Sequence, residues 1–123
     1  MIRAVLIVGL GGAIGSMLRY LTSVFVAKYY ANAFPLATFI VNIIGCFIIG
    51  LLAGFLAKSQ FASQEIKWFL ITGLCGGYTT FSAFSYENIQ LIETNNFPIA
   101  FANIVGSVFV GLIAVWLGLM LTK

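Results

Sequence analysis

The chain has 123 residues, of which 62% are hydrophobic and only 7% charged. Soluble domains carry about 25% charged residues, so this composition and a mean hydropathy of +1.11 exclude an ordinary water-soluble fold. The net charge of +3 comes from six scattered bases against three acids, which excludes a nucleic-acid surface, and without histidine or aspartate no nucleophile–base set can be assembled for an enzyme.

Spanning a bilayer takes about 20 predominantly apolar residues. Four segments meet that length, at about 4–26, 36–57, 68–92 and 98–121, and leave nothing over for a soluble domain. The expected fold is therefore an all-α integral membrane protein, a single four-span domain over residues 1–123. The segment after Arg3 is apolar for too long, and lacks the small-residue site, to be read as a cleavable signal. Short connections at 28–35, 58–67 and 93–97 join the spans, and two of them carry the turn signals Asn32-Ala33-Phe34-Pro35 and Asn95-Asn96-Phe97-Pro98. Both termini then lie on one side with Arg3, Lys58, Lys67 and Lys123, leaving Lys28 opposite, and the positive-inside rule favours cytoplasmic termini. Cys46 and Cys75 fall in apolar segments, where cysteine behaves as a small hydrophobe.

In the first span, Gly11 and Gly15 form a glycine pair at four-residue spacing, as do Gly50 and Gly54 in the second and Gly73 and Gly77 in the third. Such pairs let helices approach closely. Arg19 lies late in the first span and has two readings: it snorkels to the interface, or it faces a vestibule and attracts anions. Thr38 and Asn42 share a face of the second span, and the Asn42 amide can bond another helix or donate to an anion.

The third span carries Gly73-Leu74-Cys75-Gly76-Gly77-Tyr78-Thr79-Thr80-Phe81-Ser82-Ala83-Phe84. Its glycines and threonines should break the helix inside the membrane, and unpaired peptide groups are tolerated there only inside protein or beside a polar cavity. Carbonyls freed at such a break can bind a cation such as Na+. Phe81 and Phe84 follow at once on one face, and aromatic rings offer a positive edge to an anion or a negative face to a cation. Ordinary packing is the alternative for both rings. Ser82 lies between them, and Glu87 is the only carboxylate placed within a span. In the fourth span Asn103, Ser107 and Gly111 recur every four residues, a narrow polar stripe that suits either an anion or helix packing.

Taken together, Gly11-Gly12-Ala13-Ile14-Gly15 with Arg19-Tyr20, Thr38 through Val41-Asn42 with Gly45, and the third-span motif through Ser85 and Glu87 resemble the Fluc (CrcB) fluoride channels. The resemblance covers essentially the whole chain and is most specific in the third span. It implies an antiparallel, dual-topology homodimer in the bacterial cytoplasmic (inner) membrane, with fluoride pores conferring fluoride resistance and a Na+ on the two-fold axis. Phe81 and Phe84 would line the pore with Asn42, and Asn103 and Ser107 would begin a polar track along the fourth helix. Thr80 and Ser82 are further candidate donors, and the main-chain carbonyls of Gly76 and Thr79 would hold Na+. Gly111 departs from the family pattern, in which a hydroxyl often stands there. Two other classes are the alternatives. A small multidrug-type cation/proton exporter needs a first-span acid that this chain lacks, and a non-conducting assembly subunit would make the break merely structural.

Overall fold

The computed structural model describes residues 1–60 and 62–123, so part of the expected 58–67 connection lies outside the described residues. The described residues are helical, without strands. Helix α1 spans Ile2–Tyr29, α2 Leu36–Lys58 and α6 Phe97–Thr122; each is long and apolar enough to cross a membrane. Between α2 and α6 the chain forms a bent, composite helix. It begins with α3 (Gln64–Lys67), continues as a π-helical stretch (Trp68–Cys75) and a short α4 (Gly76–Tyr78), then breaks at Thr79-Thr80 before α5 (Phe81–Glu93).

Local chemistry explains the ends. Ser63 caps α3 by accepting from the Ile66 N–H, and Thr80 caps α5 by accepting from the Ala83 N–H. Asn95 takes a left-handed conformation (φ 62°), which asparagine tolerates better than most residues, and Pro98 follows in the first turn of α6. The π-helical stretch was not expected from the sequence. Its wider turn is visible where the Gly76 N–H reaches back to the Ile71 carbonyl, five residues earlier.

The break lets the composite helix change partners. Its first half packs on α1, whereas α5 packs on α6, and α6 in turn makes its main contact with α2. Glycines set both close crossings. A Cβ on Gly73 would lie 2.8 Å from the Val8 carbonyl oxygen, and one on Gly77 would lie 2.5 Å from that of Gly12. At the second crossing, a Cβ on Gly118 would meet the Leu51 nitrogen at 2.7 Å. The glycine pairs at Gly11/Gly15 and Gly73/Gly77 thus interlock, and Gly50 meets Gly118, which the sequence reading had not singled out. We expect Gly118→Ala to force α2 and α6 apart and destabilise the fold by about 1–3 kcal/mol, the usual range for overpacking. Gly9, with open space around it, should accept alanine without loss. Thermal unfolding of the two variants in detergent checks the contrast; equal melting temperatures would count against glycine-set crossings.

The bundle leaves broad apolar surfaces uncovered. The only buried residues of α1 are Gly11 and Gly15, while Val5, Leu6, Leu10, Leu21 and Phe25 are exposed. At one end Arg3 pairs with Glu65 at 2.8 Å and Lys58 donates to the Lys123 carbonyl, so the ends of α1, α2 and α6 gather beside α3.

Candidate ion site at the broken helix

The two main-chain groups of Thr80 are the key to the break. The Thr80 N–H donates to Asn42 Oδ1 at 2.8 Å, and Asn42 Nδ2 donates to the Thr80 carbonyl at 3.1 Å. Asn42 therefore stands in for a missing peptide partner, 38 residues away in sequence. A main-chain N–H can only donate and a carbonyl only accept, so the amide orientation is fixed. One Nδ2 hydrogen of Asn42 remains uncommitted among the described residues.

These bonds also free particular carbonyls. In an uninterrupted helix the Thr80 N–H would serve the Gly76 carbonyl, and the Ala83 N–H would serve that of Thr79. Both donors are instead diverted to side-chain oxygens, Asn42 Oδ1 and Thr80 Oγ1. Cys75 retains its partners, since its carbonyl accepts both the N–H and the hydroxyl of Thr79. The break thus frees the carbonyls of Gly76 and Thr79, and with them those of Gly77 and Tyr78, whose helical donors would be the Phe81 and Ser82 N–H groups that open α5.

A cavity of about 440 Å³ opens beside the break. Asn42, Thr80, Phe81, Phe84 and Ser107 line it, together with Gly76 and Thr79. The Phe81 and Phe84 rings lie 5.7 Å apart between centroids at 37°, too tilted to cover each other's faces. Phe81 is 78% exposed on the single chain. Thr80 Oγ1 and Ser82 Oγ are 3.2 Å apart, sharing one hydrogen and leaving the other available.

A second cavity of about 280 Å³ contains Arg19, Thr38, Glu87 and again Thr80, so the break residue borders both spaces. Thr38 donates to Glu87 Oε1 at 2.7 Å, while the buried Oε2 has no hydrogen-bond partner among the described residues. Arg19 and Glu87 face the same cavity without closing an ion pair.

Not every candidate lines these spaces: Ser82 borders neither and reaches them only through Thr80. Asn103 is 1% exposed and lies behind Ser107, paired with Asn88 on α5 at 3.0 Å. Asn88 is a residue that the sequence pattern does not single out. Its signal was its buried position in α5, legible only once α5 and α6 are packed together. Among the described residues there is no cluster of three or more carboxylate, thiol or imidazole groups that could hold a metal.

Residues 6–119 match the family described as "CrcB-like protein, Camphor Resistance (CrcB)". A curated relative from Flavobacterium psychrophilum, named fluoride-specific ion channel FluC, is 54% identical over 98% of both chains. Proteins of the same name from Methylobacillus flagellatus (50% identical over 97% of this chain and 94% of that one) and Azobacteroides pseudotrichonymphae (42%, over 100% and 98%) are similarly close. A family match over nearly the full length, together with relatives 42–54% identical over almost all of both chains, establishes that the chain belongs to the CrcB family.

Proposed function

We propose that the chain is a subunit of a fluoride-selective channel that lets cytoplasmic fluoride leave the cell passively, and so confers fluoride resistance. The observation that carries this reading is the cavity at the break, where two phenylalanine rings and a spare amide hydrogen meet beside interrupted main chain. Relatives named as fluoride-specific channels supply the choice of ion.

Hydrogen fluoride crosses membranes as a neutral acid and dissociates inside, trapping the anion. A channel allows it out, driven by the inside-negative potential. Taking a small anion out of water is costly unless other donors replace its hydration. In this reading Asn42 offers its second Nδ2 hydrogen, Thr80 or Ser82 a hydroxyl, and Phe81 and Phe84 their ring edges. None of these donors carries a full charge, so the ion is admitted and released again. Arg19, beside the second cavity, draws anions towards the break, and Ser107, backed by Asn103, extends the polar side of the path along α6.

The functional unit in this reading is an antiparallel homodimer of the dual-topology kind, multi-pass in the bacterial inner membrane. A second copy would cover apolar surface such as that of α1 and complete the space around Phe81. The freed carbonyls of Gly76 and Thr79 fit a hard cation, and paired with those of the second subunit they would hold a structural Na+. Bound there, Na+ supplies positive charge that neutralises the carbonyl ends and ties the subunits together.

Expression of this chain in a bacterium lacking its own fluoride exporter tests the function directly. We expect growth to be restored on fluoride medium. No protection from correctly inserted protein would contradict the reading.

A further inference from the structure

Asn88, Asn103 and Ser107 form a hydrogen-bonded chain whose direction is set from one end. Asn88 Nδ2 donates to the Phe84 carbonyl at 2.9 Å. A main-chain carbonyl can only accept, so the atom beside it must be the NH2 group, and Asn88 turns its Oδ1 to α6. That oxygen accepts from Asn103 Nδ2 at 3.0 Å. Asn103 must then present Oδ1 to Ser107, whose hydroxyl donates to it at 3.0 Å. A serine hydroxyl has one hydrogen. Ser107 therefore faces the cavity with lone pairs alone, although its place on the polar stripe of α6 suggested a donor.

We propose that Asn88 and Asn103 are positioning residues of the ion path, which hold Ser107 as a hydrogen-bond acceptor so that it binds water rather than the anion. This rests on the fluoride-channel reading above. Water donates one hydrogen to Ser107 and keeps its second for fluoride passing through the cavity. Asn88 is 4% and Asn103 1% exposed, so neither touches the ion; both act through Ser107. The same chain ends on the carbonyl of Phe84, tying the α5 ring and the α6 hydroxyl to one frame.

The test compares Asn88→Leu, Asn103→Leu, the double variant and Ser107→Ala, each reconstituted in liposomes and assayed for fluoride efflux, alongside thermal unfolding in detergent. Interhelical hydrogen bonds in membranes are individually weak, so the single variants should fold. They leave one amide unpaired, and the double variant removes both partners, which restores stability. We expect efflux in the double variant to stay at least about tenfold below the unmodified protein, the rate equivalent of roughly 1.4 kcal/mol. Recovery of efflux together with stability would make the pair mere packing and overturn the proposal. We further expect Ser107→Ala to add no loss in the Asn103→Leu background. Independent, multiplying losses would overturn it, and so would faster efflux in Asn103→Leu, the mark of a serine that donates directly. The unmodified protein is the control for the channel reading itself: absence of its own efflux would remove that reading before the variants are compared.

Discussion

Replacing Phe81 with isoleucine should lower fluoride efflux at least about tenfold, a rise of roughly 1.4 kcal/mol in the barrier, while the protein still folds and inserts. Phe81 is exposed on the single chain and lines the cavity at the break, so its side chain contributes little to the monomer's own packing. Isoleucine keeps an apolar side chain but offers no ring edge to an anion. The neighbouring Phe84 remains, tilted at 37° in the present arrangement, and cannot supply both edges. Efflux from reconstituted protein, with dimer content followed by size-exclusion chromatography, separates conduction from assembly. Unchanged efflux would mean that the rings are packing residues.

Asn42→Ala should be more damaging, because it acts on fold and path together. The substitution strips the Thr80 N–H and carbonyl of their shared partner. The Thr80 carbonyl keeps the first intrahelical bond of α5, so the N–H is the group left unpaired, at a cost of about 1–3 kcal/mol against a typical total of 5–15. The break should then lose its shape, and the Thr80 N–H would be free to return to the Gly76 carbonyl. Both consequences remove the proposed path: the spare amide hydrogen is gone, and a freed carbonyl is reclaimed. Thermal unfolding and efflux measured on the same preparation check this. A variant with full stability and full efflux would show that the Asn42–Thr80 pair is incidental. Asn42→Gln, which keeps the amide but displaces it, should give an intermediate loss on both readouts.

The broken helix was legible in the sequence because its causes are local. Glycines weaken the helix up to Tyr78, and Thr80 starts a new one by capping Ala83, so composition and a capping residue mark the site within a few positions. What completes the break is not local. Asn42 could be read as an interhelical bond or an anion donor, and only the packing of α2 against the break shows the first, with one hydrogen left for the second. Glycine crossings were half legible. The pairs in the first three spans announce close approach, whereas Gly118 stands alone in its turn and gains meaning from Gly50 across the interface. Its seven-residue spacing from Gly111, two helical turns along one face, was the available signal. The π-helical stretch at Trp68–Cys75 had no such signal. Asn103 shows the limit most clearly: the same residue type at the same spacing suits a pore face or a buried pair, and its partner Asn88 turns it into the buried pair.

The most direct measurement is fluoride efflux from potassium-loaded liposomes containing the purified protein, started with valinomycin and followed with a fluoride electrode, with chloride as the control. A broken-helix channel with neutral donors should release fluoride rapidly and leave chloride inside. A well-folded, inserted protein that releases neither ion, or both alike, would contradict it.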